Sequence, residues 1–397
     1  ISIGLAFIIG AFNTVYLYPT HMGSSLQGLV VALLALSNLV QPFISFGVQH
    51  AVIKFYSSTK SKAEKDKLLS FSLILPILVF TAILFTAYLF YEQITEFIAS
   101  ENKQIGKYAY LIIAVAFSTA LFELFYNWLR IQLFSVFGNF LKEFFPRVLI
   151  FTLLLVYSSG SLDLDGFIMA LIIGYYIRLL LVVVYSLFKY TPKFSFSLPL
   201  QFKSMLRYSI LIFMSGTAAS LILDIDKSMI SNILTVENVA YYSVAVFIAT
   251  VVEFPGRAMF QIVSPLVAKA INEKDFVTLS SLLRKSANNL LLVSGLLFLL
   301  INLNLDDFYE WFNLSDYTAA LEVVLIVSVG KLFTMSMGCL NNIITNSQYY
   351  YYVFWFSTLS AVLAVVLNLY LIRWYGIIGC LLYTSPSPRD KRQSRMP

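Results

Sequence analysis

The chain has 397 residues, of which 59% are hydrophobic, 16% aromatic and 12% charged, with a formal net charge of +6. Soluble domains run at about half apolar and a quarter charged, so a single water-soluble core is excluded and lipid is left as the solvent for most of the surface. The positive charge lies in short segments between apolar runs, which points away from nucleic acid, and two cysteines (Cys339, Cys380) with two histidines (His21, His50) leave no disulfide framework and no metal-ligand spacing.

A spanning helix needs about 20 apolar residues. Runs of that kind fall at 2–18, 27–49, 69–91, 108–129, 138–158, 166–187, 205–230, 238–259, 287–303, 318–338 and 350–371, and a twelfth opens near Ile377. They are too long and too evenly spaced for barrel strands, which alternate over about ten residues. The expected fold class is therefore an all-α polytopic membrane protein of about 12 transmembrane helices, the twelfth truncated. Ile1 already lies inside an apolar run, so the start is expected to be truncated too. Residues 380–397 are polar, basic and rich in Pro and Ser, unlike everything before them, and are expected to be a non-native tail.

The first span carries Asn13 and Thr14, and the second carries Asn38, Gln41 and Pro42. These polar groups suit either hydrogen bonding to a hydroxylated ligand or helix–helix attachment. In the fourth span Glu123, Asn127 and Arg130 stand at i, i+4 and i+7, on one face that is expected to turn away from lipid. Arg178 lies eleven residues into the sixth span, between Tyr175-Tyr176-Ile177 and six apolar residues. An ionisable side chain at that depth is expensive and by default marks function. It reads equally as a cation for an anionic ligand and as the partner of a carboxylate such as Glu123.

Asp224, Asp226 and Lys227 stand toward the far end of the seventh span. In the eighth, Glu253 and Arg257 are four residues apart with Pro255 between them, spaced to meet and placed on an expected kink. Glu322 and Lys331 lie on the tenth. The stretch 272–289 is basic and amphipathic, as for a helix lying along the membrane surface.

Alternate loops differ sharply in Lys and Arg, 18 against 4, which places the richer set and the N-terminus in the cytoplasm. Asp224-Ile-Asp226 then faces outward, which rules out a nucleotide-sugar DxD. The chain reads as an N-terminal six-helix lobe at 1–190, a basic linker at 191–204 and a C-terminal lobe at 205–379. Pro42 and Pro255 fall fourteen residues after Gly28 and Tyr241, at the same depth of the second helix in each half. Matched kinks of this sort fit a duplicated lobe and tend to line a transport pathway.

Two stretches carry a family resemblance. Gly10-AFNTVYLYP-Thr20 with Gly28 to Ser57 (GLVVALLALSNLVQPFISFGVQHAVIKFYS), and Asp226-KSMISNIL with Tyr241 to Lys269, resemble the oligosaccharide flippases of the polysaccharide transporter group. That group belongs to the multidrug/oligosaccharidyl-lipid/polysaccharide (MOP) exporter superfamily. The resemblance, spread over about residues 1–379, implies two pseudo-symmetric six-helix lobes around a cleft that opens alternately to each side. It implies an undecaprenyl-pyrophosphate-linked oligosaccharide as cargo, carried from the cytoplasmic to the periplasmic leaflet of a bacterial inner membrane, beside other glycan-assembly membrane proteins. In that frame Arg178, Glu123, Asn127, Glu253, Arg257, Asp226, Lys227, Asn13 and Gln41 are candidate groove residues, and Pro42 and Pro255 candidate kinks. Glu123 and Glu253 suit coupling to a proton or sodium ion, and no other cofactor or metal is expected. A drug or peptidoglycan-precursor exporter of the same superfamily is the alternative. A membrane-embedded glycan polymerase or ligase is the alternative from another class, and the short outer loops, the longest at 91–107, argue against it.

Overall fold

The computed structural model describes residues 2–59, 61–98, 102–132, 134–312, 314–347 and 350–381; most of the expected tail lies outside them. Among the described residues there is no strand. Eight helical stretches are long and apolar enough to cross a membrane. On the least buried of them, Phe276–Leu303, the side chains of Leu292, Leu296, Leu299, Leu300 and Leu303 are exposed together, an arrangement that water would not tolerate and lipid does.

The chain divides into two compact units, 1–237 and 238–397. The first opens with α1 (Ser2–Ala11), a π-helical turn (Phe12–Leu17) and α2 (Tyr18–His21). Pro19 at the start of α2 has no N–H to continue an α-helical ladder, and the wide turn precedes it. Then come α3 (Gly23–Ser45), α4 (Val48–Ser58), α5 (Lys62–Leu89), α6 (Tyr91–Ile98), α7 (Lys103–Lys107) and α8 (Ala109–Ile131). The expected span 138–158 is broken at Phe144 into α9 (Ser135–Glu143) and α10 (Phe145–Ser158), with Pro146 in the first turn of α10. Next, α11 (Leu164–Lys189) is capped by Asp163, whose carboxylate accepts from Gly166 N–H. A non-helical segment leads to α12 (Phe202–Ile233). Trp128, Phe122, Leu124 and Leu129 of α8 are the heart of the core, packed against Val48, Ala51, Leu69 and Val182.

α3 and α12 run antiparallel and touch at two levels, and beyond the end of α12 the residues that follow it meet the start of α3. At one end the Ser25 hydroxyl meets the Glu237 carboxylate. In the middle Asn38 meets Asp224. At the other end α3 stops in two left-handed residues, Phe46 (φ 47°) and Gly47 (φ 71°). A Cβ on Gly47 would run into the backbone carbonyl of Ser209, so the residue permits a backbone-to-backbone crossing with α12. Phe213 stacks on Phe46 with ring centroids 5.1 Å apart.

The second unit contains α13 (Val236–Thr250), a 3-10 turn (Val251–Glu253) and α14 (Phe254–Asn272). It continues through α15 (Phe276–Leu303), α16 (Leu305–Trp311), α17 (Leu321–Ser336), α18 (Leu340–Asn346) and α19 (Tyr350–Tyr375). The stretch 272–289 is not a separate surface helix. From Phe276 onward it is the first half of α15, running without a break into the apolar half and capped by Asp275, which accepts from Thr278 N–H at 2.9 Å. Phe260, Val267, Leu290, Met335 and Cys339 form this unit's core.

Candidate functional site

α8 turns Glu123 and Asn127 inward, as their shared face requires. Asn127 is buried and works locally: its amide donates to the Glu123 carbonyl at 2.9 Å, and its Oδ1 accepts from Arg130 at 3.2 Å. The carboxylate of Glu123 meets the Lys142 ammonium of α9 at 2.7 Å. Lys142 also lies 5.1 Å from the centre of the Tyr126 ring, and the Tyr126 hydroxyl donates to Asn139 Oδ1 at 2.5 Å.

Arg178, on α11, is only 5% exposed. Its guanidinium lies between two aromatic faces, 4.3 Å from the centre of Phe122 and 4.7 Å from that of Tyr175. Nη2 donates to the Thr119 hydroxyl at 3.3 Å, while Nε is buried without a hydrogen-bond partner. The expected pairing of Arg178 with Glu123 is not made as a direct ion pair. No carboxylate among the described residues lies within ion-pair distance of Arg178, although Glu123 still acts on it through space. Lys142 has taken the carboxylate because the break at Phe144 ends α9 beside α8, and the aromatic faces hold the guanidinium instead.

A second polar group spans α3 and α12. Asn38 Nδ2 donates to Asp224 Oδ2 at 3.2 Å, and Lys227 holds Asp224 Oδ1 at 3.0 Å. Gln41, one turn after Asn38, is half-buried and has no side-chain hydrogen bond among the described residues. Asp226 is buried on the other side of α12. These charges lie in the last third of α12. α12 continues to Ile233, nine residues beyond Asp224. Asn13, in the π turn, is buried and donates to the Arg147 carbonyl at 2.7 Å, which ties α10 to the first helix rather than lining a groove.

In the second unit Glu253 does not pair with Arg257. Its carboxylate meets Lys331 of α17 at 2.5 Å, and Arg257 is exposed. The proline at 255 explains the change. It occupies the first turn of α14, so the turn before it winds as a 3-10 helix and Glu253 and Arg257 no longer share an α-helical face. Pro42 behaves differently: α3 runs through it and breaks four residues later. Among the described residues no group of three His, Cys, Asp or Glu side chains could hold a metal.

The family model described as polysaccharide biosynthesis protein matches residues 1–264. The chain belongs to that family. In this member of the polysaccharide biosynthesis family the matched region takes in the whole first unit and reaches into α14, so it includes both polar groups around α8 and α12. No curated protein sequence matches the chain. The fold is similar to that of the lipid II flippase MurJ in an inward closed conformation, with 18% identity, a TM-score of 0.77, and coverage of 98% of this chain and 84% of that one. It is also similar to an inward-facing multidrug resistance MATE family transporter of the MOP superfamily, with 13% identity, a TM-score of 0.65, and coverage of 96% and 90%. The family member is thus a multi-pass, all-helical membrane protein with the MOP exporter fold.

Sequence reasoning missed Lys142 and Lys331 as the partners of the two carboxylates, since each comes from another helix. The break in 138–158 was signalled by Pro146, and a Lys just before such a break is the one that can turn back onto a neighbour.

Proposed function

We propose that this protein carries a polyprenyl-pyrophosphate-linked oligosaccharide from the cytoplasmic to the periplasmic leaflet of a bacterial inner membrane, as a carrier and not an enzyme. The observation that carries the reading is chemical. A chain of the polysaccharide biosynthesis family keeps two cations, Lys142 and Arg178, around the carboxylate of Glu123 inside its first unit, while Glu143, which also acts on Lys142, is held by Arg147 at 3.2 Å. That leaves one positive charge in excess for the pyrophosphate, and a guanidinium with an unused N–H matches phosphate oxygens well. The fold shared with a lipid II flippase supports the cargo class, and the Lys and Arg asymmetry of the loops supports a cytoplasmic N-terminus.

Such a carrier works by alternating access, and the polyprenyl tail stays in lipid while the headgroup crosses about 30 Å of hydrocarbon. Coupling to a proton or sodium ion would use Glu123 or Glu253, each of which holds a lysine that must be displaced. Export of a peptidoglycan precursor is the second reading, favoured by the likeness to MurJ.

The test is complementation of a strain that lacks its own glycan flippase. Wild type restores surface glycan, and Arg178→Ala, at equal protein level in the membrane, abolishes it. Normal glycan export in Arg178→Ala would remove Arg178 from the cargo path. Failure of the wild type, with growth restored instead to a strain lacking its lipid II flippase, would favour the second reading.

A further inference from the structure

The group formed by Asn38, Asp224 and Lys227 sits at an unusual depth. Thirteen residues separate Ser25 from Asn38 on α3, and nine separate Asp224 from Ile233, the end of α12. At 1.5 Å per residue this places the group about 14–20 Å from that end of the helix pair. From the other end, at the Gly47 crossing, nine residues back to Asn38 give about 14 Å. The group therefore lies well inside the helix pair, where a charge is expensive and persists when it faces water or a ligand.

It is also open. Asn38 is exposed, and the side chains of Asp224 and Lys227 are 16% and 26% exposed. An ion pair whose only task was to join α3 to α12 would be sealed between them. The contacts made leave capacity over: each Asp224 oxygen has taken one donor, Asn38 keeps its Oδ1 and a second N–H, and Lys227 keeps two N–H donors. Gln41 adds an amide one turn along the same face of α3.

We infer that Asn38, Gln41, Asp224 and Lys227 form a subsite for the vicinal hydroxyls of a sugar. Each sugar hydroxyl both donates and accepts, so adjacent hydroxyls need alternating acceptors and donors on a rigid support. A carboxylate flanked by an amide and an ammonium supplies that alternation, and two packed helices supply the support. The subsite rests on the carrier reading above and adds to it that the glycan, beyond the pyrophosphate, is read by α3 and α12.

The experiment uses the full-length protein in proteoliposomes with two probes: undecaprenyl-pyrophosphate carrying the host's complete repeat unit, and the same lipid carrying only its first sugar. Asn38→Ala is the main variant, because Asp224 keeps Lys227 when the amide is gone. Loss of a hydrogen bond in a charge-assisted group is expected to slow flipping of the repeat-unit lipid about tenfold. The single-sugar lipid should move at the wild-type rate, and Asp224→Asn should show the same selectivity. Equal slowing of both lipids, or no slowing of either, overturns the subsite. Should the wild type flip neither lipid, the carrier reading falls, and equilibrium binding of the free repeat-unit oligosaccharide decides the subsite alone. It stands if wild type binds and Asn38→Ala binds about tenfold more weakly, and falls if wild type does not bind or the variant binds equally.

Discussion

Each unit of this protein contains a carboxylate–lysine pair that joins two helices, Glu123–Lys142 and Glu253–Lys331, and the two are built differently. Glu123 and Lys142 in the first unit have side chains 21% and 22% exposed, with Tyr126 beside the ammonium and Arg178 acting from a distance. Glu253 and Lys331 in the second unit are unequal. The carboxylate is 9% exposed at the end of a 3-10 turn, and the lysine reaches in from α17 with 31% of its side chain exposed. In both cases an arginine stands nearby along the same helix and is not the partner. These two carboxylates are thus neutralised from another helix and not by the arginine that follows each in the chain.

The difference in burial sets the expected order of effects. Lys331→Met leaves a nearly sealed carboxylate without its ammonium and should cost about 3 kcal/mol or more, seen as a large fall in the unfolding midpoint in detergent. Adding Glu253→Gln to that variant should recover most of the loss, because neither member is then left charged. If the double variant is no better than the single one, the lysine contributes packing and not charge.

Lys142→Met should cost less, about 1–2 kcal/mol, since water reaches both members and Arg178 remains as a second cation. A loss as large as that of Lys331→Met would show that the first pair is sealed in solution and would erase the contrast.

The smallest effect belongs to a carboxylate outside both pairs. Asp275 caps α15 by accepting from the Thr278 hydroxyl and N–H, and these hydrogen bonds hold its carboxyl below the usual carboxylate range. A depressed folded-state value means that the cap stabilises above the ordinary aspartate range and is lost as pH falls through the folded one. The difference in melting temperature between wild type and Asp275→Ala should therefore be a degree or two at neutral pH and shrink toward zero as pH falls below about 4. A difference that is constant with pH would mean that the carboxylate is not the cap.

The contrast between the pairs also marks what the sequence could convey. Spanning helices are legible because hydropathy is read along one chain, and α3, α5, α8 and α11 fall where the apolar runs place them. Interruptions by proline were partly legible. Pro255 does disturb its helix, but on the side before it, which is where the missing N–H acts, and this rotates Glu253 away from Arg257. The continuity of α15 was hidden because its first half carries Arg284, Lys285, Asn288 and Asn289, a composition that suits a surface helix equally well. Partners across helices were not legible. Glu123 had Arg130 on its own face and Arg178 in a neighbouring span as apparent candidates, and nothing in the string of letters says that α9 ends where Lys142 can reach it.

The closeness of Asp224 and Lys227, one turn apart on α12, bears on how the chain is made. Their partner Asn38 precedes them by 186 residues, yet the aspartate does not depend on it for neutralisation, because the lysine three residues on is a counter-ion in the same helix. α12 can therefore leave the translocon with this pair already matched and dock on α3 afterwards. Order of synthesis, and not only the finished site, is provided for in that pair.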